Sequence, residues 1–262
     1  QLMVIATVSL NQIWEDKQSN LTTCRLYIEE ATRKKVDLIV FPEMTLTGFS
    51  TNIVLTSEDE KNSETIENFS NLAKSKKIAI LFGVVIKDDK KALNKSVFID
   101  KQGNVLGGYS KIHPFSFSGE DKYFNGGNEL KVIPFDEYNI GLSICYDLRF
   151  PELFSALSKR SDLIINIANW PKKRVDHWNT LLKARAIENQ VYIVGVNRTG
   201  IDGNNLEYDE SSNIYNFNGE IVESDVFKDM KIYKIDKKFT KDFTDKFNTT
   251  IDRKIQLYKG VI

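Results

Sequence analysis

Three polar side chains in this chain stand where an apolar run stops. Glu43 follows the run in "LIVFPEMTLTG", Lys111 ends "GGYSK" ahead of "IHPFSFSGED", and Cys145 closes the run in "GLSICYDLRFPEL". A free thiol is only weakly ionised at neutral pH and gains nucleophilicity from a base within reach. A glutamate among apolar neighbours has a raised pKa and suits that task. A lysine can stabilise the negative charge that attack places on a carbonyl oxygen. Taken one at a time, each residue has a plainer reading. Buried cysteine is usually an inert filler, a glutamate in a loop is often a surface residue, and lone lysines are mostly solvated. What they share is position: each closes a β-like run at its C-terminal end, the edge where open α/β sheets usually place their sites.

Those positions require alternating strands and helices, and the pattern supplies them. "LMVIATVSL" is strand-like and is followed by a helical pattern near Ser19 to Lys35. "VDLIVFPE" is a short, almost wholly apolar strand of the kind buried on both faces. A polar helix near Ser57 to Lys76 leads to "KIAILFGVVI", then to "ALNKSVFID" and "NVLGGYSK", the last two separated by a hairpin turn signal at Lys101 to Asn104. The second half has the same style. "YNIGLSIC" is a strand, Pro151 to Lys159 is a helix with proline in its first turn, and "SDLIINIAN" is another buried strand. A helix from about Val175 to Asn189 follows, then "VYIVGVNR", "SNIYNFNGEIV" with its Asn-Gly turn, and "MKIYKID". No linker, low-complexity segment or fixed-period repeat divides the chain, so one α/β domain with mixed sheets and outer helices is expected over residues 1–262.

Composition narrows the function classes. The 262 residues are 41% hydrophobic, enough for a sizeable core. Thirty-six basic residues balance thirty-six acidic ones, so no net field favours nucleic acid or an anionic membrane surface. No apolar run approaches the ~20 residues that cross a bilayer. The opening segment lacks a basic leader and a small-residue cleavage site, and it fits a first strand better than a signal peptide. The two cysteines, Cys24 and Cys145, fit reduced thiols in a cytoplasmic setting better than a disulfide.

Other chemistries find less support in the same residues. A Cys–His hydrolase would need His113 or His177 as base, yet His113 precedes Pro114 and His177 lies inside a helical pattern, where packing is its expected role. Two histidines without an H-x-x-x-H spacing make no zinc motif. "LGGYSK" lacks the spacing of a phosphate-binding loop, and Cys24 falls in an amphipathic helix, where it is expected to pack.

With these motifs in order, the chain resembles the nitrilase superfamily of carbon–nitrogen hydrolases. The resemblance rests on "FPEMTLTGF" for Glu43, "SKIHPF" for Lys111 and "ICYDLRFPE" for Cys145, and extends over nearly the whole chain. It implies a Glu–Lys–Cys triad, with Glu120 of "FSGEDKYFNGG" matching a second acid. The later stretch "ANWPKKRVDHWNTLLKARAIENQVYIVGVNRTGIDGNN" is similar to the omega-amidase branch, which hydrolyses the distal amide of 2-oxoglutaramate and related dicarboxylic monoamides. The family resemblance further implies a four-layer α-β-β-α sandwich with two mixed sheets, and a homodimer formed through the helical face carrying "CYDLRFPEL".

In such a reaction Cys145 attacks a small-molecule amide, Glu43 relays protons, and Lys111 with the Tyr146 backbone N–H stabilises the oxyanion. A thioester forms and water releases the acid, with no metal or organic cofactor needed. Trp170 is expected either to line the pocket or to close its strand. A remote substrate carboxylate calls for a cation, for which Arg149 and Arg174 are candidates, Arg174 the more favoured because its stretch carries the branch resemblance. Arg149 has a structural alternative in pairing with Asp147 or Glu152. The triad alone leaves a nitrilase, an N-carbamoyl amino acid amidohydrolase and a non-catalytic binding protein as alternatives.

Overall fold

Residues 2–259 are described by the computed structural model. In chain order the strands are β1 (Leu2–Val8), β2 (Leu38–Val40), β3 (Ala79–Asp88), β4 (Lys91–Ile99), β5 (Val105–Ser110), β6 (Val132–Phe135), β7 (Tyr138–Ile144), β8 (Leu163–Ala168), β9 (Tyr192–Asn197), β10 (Gly200–Ile201), β11 (Glu207–Tyr208), β12 (Asn213–Tyr215), β13 (Ser224–Phe227) and β14 (Met230–Asp236). The α-helices are α1 (Lys17–Arg33), α2 (Ile53–Thr56), α3 (Glu64–Lys76), α4 (Pro151–Ser158), α5 (Val175–Asn189), α6 (Lys237–Thr244) and α7 (Ile255–Tyr258).

Two large sheets result. One has seven strands in the order β13-β14-β1-β2-β3-β4-β5, the other five in the order β12-β9-β8-β7-β6. Each is mixed, with a parallel trio at its centre: β1, β2 and β3 in the first, β7, β8 and β9 in the second. The period-two geometry of a strand sends successive side chains to opposite faces, and both faces of these trios are apolar. Leu38 and Val40 of β2 share one core with Leu163, Ile165 and Ile167 of β8, so that core lies between the sheets. Ile39 and Ile80 face the other way, onto Leu21 and Cys24 of α1 and Phe69 of α3. Ile164 and Ile193 likewise meet Phe154 of α4 with Trp178 and Leu182 of α5. Each fully buried side chain of this size contributes about 1.5–3 kcal/mol. The layers are therefore helices, sheet, sheet, helices, the expected α-β-β-α sandwich.

Some boundaries differ from expectation. The helix expected from Ser57 begins only at Glu64, because Ser63 accepts the Ile66 N–H at 3.1 Å as an N-cap. Upstream, Glu58 bridges to Ile86 beside β3, and its carboxylate accepts from Thr65 N–H at 3.1 Å. These bonds hold the segment in a path that makes only one 3₁₀ turn, Glu60–Asn62, before the α-helix. Strands β6, β10, β11 and β13 and the four-residue helices α2 and α7 are too short for their periodicity to be visible beforehand, and the eight-residue α6 was not anticipated either. The expected domain bounds 1–262 include residues 1 and 260–262, which lie outside the described residues. Among the described residues both cysteines are free thiols, and no helix is long and apolar enough to cross a membrane.

Strand direction decides where the site forms. Because β4 is antiparallel to both β3 and β5, strand β5 runs in the same sense as the parallel trio. The chain leaving β2 toward Glu43 and the chain leaving β5 toward Lys111 thus emerge at one edge. In the second sheet, β7 delivers Cys145 and β8 delivers Asn169 at their C-terminal ends.

Candidate active site

The turn after β2 is held by bonds to its own carbonyls. Gln12 Nε2 donates to the carbonyl oxygens of Glu43 (3.0 Å), Met44 (2.9 Å) and Thr45 (3.2 Å). Asn169 Nδ2 donates to the Glu43 carbonyl at 2.7 Å. Met44 adopts φ +47°, a left-handed conformation uncommon for a side chain of its size. The turn also presses on β3: a Cβ at Gly83 would lie 2.3 Å from the Met44 backbone nitrogen, so only glycine fits there. Cys145 has φ +47° as well, where β7 breaks into a short 3₁₀ helix, Cys145–Arg149. Such conformations cost about 1–3 kcal/mol each and persist where their surroundings over-determine them.

Glu43, Lys111 and Glu120 are brought together in one buried cluster, with exposures of 0%, 1% and 0%. Lys111 Nζ donates to Glu43 Oε1 at 3.2 Å and to Glu120 Oε1 and Oε2 at 3.1 and 2.9 Å. Asn94 Nδ2, from β4, donates to Glu43 Oε1 at 2.6 Å and to Glu120 Oε1 at 3.2 Å. The Asn169 backbone N–H donates to Glu43 Oε2 at 2.8 Å. The Phe49 ring lies 5.5 Å from Lys111 Nζ, close enough for a cation–π contact. Burial pushes the Glu43 carboxyl above the ordinary glutamate range and the Glu120 charge adds to this, while Lys111, Asn94 and Asn169 oppose it. Burial alone would favour a neutral Lys111, but Glu120 and Glu43 outweigh it and hold the ammonium charged. Burial also drives the Cys145 thiol well above its usual value, with Glu43 adding and Lys111 opposing. Burial thus makes the Cys145 thiol hard to ionise and the Glu43 carboxyl more basic than an ordinary glutamate.

A second network ties the cysteine turn to the lysine loop. Asp147, fully buried, accepts from Tyr109 OH at 2.7 Å and Ile144 N–H at 3.0 Å. Its other oxygen accepts from His113 N–H at 3.1 Å and lies 2.7 Å from His113 Nδ1. His113 also stacks on Phe150, with ring centroids 3.8 Å apart. This histidine holds two loops together and its Nδ1 is engaged by Asp147. The packing role expected for His177 is not what the structure shows. That ring is exposed on α5, with Nδ1 3.3 Å from Arg149 Nη2, because it faces out from the first turn of the helix.

Above the cluster opens a cleft with about 500 Å³ of empty space, lined by Cys145, Lys111, Tyr146, Asn169, Trp170, Arg149, Arg174 and Tyr208 among others. Cys145 Sγ points toward the Asn169 carbonyl at 3.8 Å. Trp170 both lines the cleft and is nearly buried, its Nε1–H donating to the Arg174 carbonyl at 2.7 Å. Arg149 pairs with neither Asp147 nor Glu152 and instead lies over the Trp170 ring at 4.8 Å. Arg174 lies over Phe115 at 5.5 Å. Glu120 does not line the cleft but stands behind Lys111, where it also accepts the Phe115 N–H. Sequence reasoning missed Gln12, Asn94 and Asn169. Asn169 alone carried a signal, since it follows the buried strand "LIINIA" as Cys145 follows its own.

Residues 4–241 match the sequence profile of the carbon-nitrogen hydrolase family. The chain is 36% identical over 209 residues to the omega-amidase YafV of Yersinia enterocolitica, covering 80% of this chain and 79% of that protein. It is 38% identical over 200 residues to the 2-oxoglutaramate amidase of Paenarthrobacter nicotinovorans, covering 72% of this chain and 68% of that one. Among solved structures, the CN-hydrolase superfamily protein XC1258 from Xanthomonas campestris superposes with a TM-score of 0.89 at 27% identity, covering 97% of each chain.

Proposed function

This chain belongs to the carbon-nitrogen hydrolase family, and from that premise we propose that it is an omega-amidase releasing ammonia from the distal amide of small dicarboxylic monoamides such as 2-oxoglutaramate. The observation that carries the substrate reading is a pair of cations. Arg149 and Arg174 both line the cleft above Cys145, and neither has a carboxylate partner among the described residues. A guanidinium ion offers a planar fork that binds a carboxylate through two parallel hydrogen bonds. The substrate's remote carboxylate is the anion that fills this need, with the amide directed down toward the thiol.

In this reading Glu43 takes the Cys145 thiol proton as sulfur bonds to the amide carbon. The oxygen that becomes negative is stabilised by the Lys111 ammonium and the Tyr146 N–H, one such donor being worth about 2.7–4 kcal/mol. The tetrahedral adduct collapses as Glu43 returns the proton to nitrogen, breaking the C–N bond and leaving a thioester. Glu43 then deprotonates water, which attacks the thioester carbon. The acid departs and the proton goes back to sulfur. Glu120 keeps Lys111 charged and in place through two hydrogen bonds.

The test is ammonia release across 2-oxoglutaramate, a neutral amide of similar length, nitriles and N-carbamoyl amino acids. Arg149→Ala and Arg174→Ala should each lower kcat/KM for 2-oxoglutaramate by about tenfold to a hundredfold, the worth of one hydrogen bond to a charged group. The neutral amide should scarcely respond. Equal losses on both amides would assign the arginines to the fold, and a wild-type preference for nitriles or carbamoyl amino acids would overturn the omega-amidase reading.

A further inference from the structure

Asn94 lies in mid-strand on β4, only 2% exposed, and touches every charged member of the cluster. Its backbone carbonyl accepts the Lys111 N–H at 2.8 Å. Its Nδ2 donates to Glu43 Oε1 at 2.6 Å and to Glu120 Oε1 at 3.2 Å, while its Oδ1 has no hydrogen-bond partner among the described residues. The amide is thus held through its NH₂ alone. Two carboxylates face it, so the nitrogen, not the oxygen, must be directed at them. An acceptor left unpaired in the interior is costly, and a protein that leaves one here uses the other end of the same group.

Counting lone pairs on Glu43 gives that end a purpose. Each carboxylate oxygen has two acceptor sites. On Oε1 both are taken, by Asn94 Nδ2 and by Lys111 Nζ at 3.2 Å. On Oε2 one is taken by the Asn169 N–H at 2.8 Å and one is free. Asn169 is also the residue whose carbonyl lies 3.8 Å from Cys145 Sγ, so the residue that holds Oε2 stands beside the thiol. We propose that Asn94 is a positioning residue that occupies Glu43 Oε1, so that the proton handled in catalysis moves through Oε2 alone. This rests on the reading of Glu43 as the base.

The titratable groups facing Glu43 are Lys111, Glu120 and Cys145, and Asn94 is a neutral donor among them. Removing a donor from a carboxylate destabilises its ionised form, so Glu43 would take up a proton at higher pH without Asn94. It would also open a lone pair on Oε1 to that proton.

Alkylation of Cys145 by iodoacetamide tests this independently of the natural substrate. The rate is followed against pH by peptide mass spectrometry in the wild type, Glu43→Gln and Asn94→Leu. In the wild type the rate should fall on the acid side as Glu43 is protonated. Asn94→Leu should displace that fall to higher pH by about one pH unit, with about a tenfold lower rate on the limb. A merely structural role would reduce the reactive fraction and leave the limb in place. Labelling of Cys24, which is buried, reports unfolding in the same spectra. If Asn94→Leu does not fold, Asn94→Ala removes the same donor without apolar bulk and should give the same displacement. A limb that stays at the wild-type position in the folded variant overturns the role of Asn94. A Glu43→Gln profile identical to wild type instead overturns Glu43 as the base.

Discussion

Around Cys24, in the middle of α1, the neighbours are apolar: Leu21, Ile28 and Phe69 belong to the same core beneath the first sheet. Around Cys145, at the end of β7, stand Lys111 and Asn169 in the cleft wall, with Glu43 bonded to that same asparagine. Burial raises the proton affinity of both thiols. Burial therefore does not separate them, nor does low exposure mark a thiol as inert. What separates them is whether a base of raised pKa and a fixed cation lie within reach, and whether the backbone turns the sulfur into a cavity. Cys24 has regular helical backbone, whereas Cys145 sits at φ +47° where strand gives way to turn. A thiol that is hard to ionise alone is still a nucleophile if its proton leaves as it attacks.

The contrast is broken most directly by removing the Cys145 sulfur. Cys145→Ala should lower kcat by on the order of 10⁴-fold or more while the denaturation midpoint stays near wild type. An active Cys145→Ala enzyme would place the nucleophile elsewhere.

A smaller loss should follow when the sulfur stays and its company changes. Glu43→Gln should cost about 10²–10⁴-fold and show no thioester burst on rapid mixing, because one group serves both proton transfers. The wild-type dependence on pH follows from the same residue. Burial raises the Glu43 pKa, so the active carboxylate is fully present only above that raised value, and kcat/KM should fall with decreasing pH before an ordinary glutamate would titrate. A burst of normal size in Glu43→Gln would remove the distinction drawn between the two thiols.

The smallest effect belongs to the other region. Cys24→Ala should change kcat/KM by less than about twofold, and lose about 1 kcal/mol of stability for a buried group of roughly methyl size. Urea denaturation and the ammonia assay measure the two halves of this expectation. A dead Cys24→Ala enzyme with an unchanged denaturation curve would contradict the packing role.

The fold was legible wherever a strand was long enough or apolar enough to show its period. β2, β8 and β9 are wholly or almost wholly apolar runs because both their faces are covered, and each was found in the sequence. The start of α3 was misplaced because Ser63 and Glu58 cap and bridge the preceding segment through side-chain bonds, which periodicity does not reveal. Glu43, Lys111 and Cys145 were legible because each interrupts an apolar run, a local signal. Glu120 was identified only by resemblance, and its place behind Lys111 depends on a loop that folds back. Asn94 gave no signal, being one polar residue in an alternating strand.

Sequence by itself determined the inventory: which runs become strands, which residues end them, and that a thiol, a carboxylate and an ammonium would be delivered at strand ends. These follow from side-chain type and backbone sterics over a few neighbouring residues. The tertiary structure alone decided their relations. Glu43 and Asn169 are 126 positions apart, yet one hydrogen bond of 2.8 Å joins the loop after β2 to the loop after β8. It turned Asp147 inward to Tyr109 and His113, leaving Arg149 without that partner at the cleft. The reason is physical. Local conformation depends on adjacent residues, but the ionisation and basicity of a buried group depend on desolvation and on charges a few ångströms away through space, and those are set only when distant strands meet.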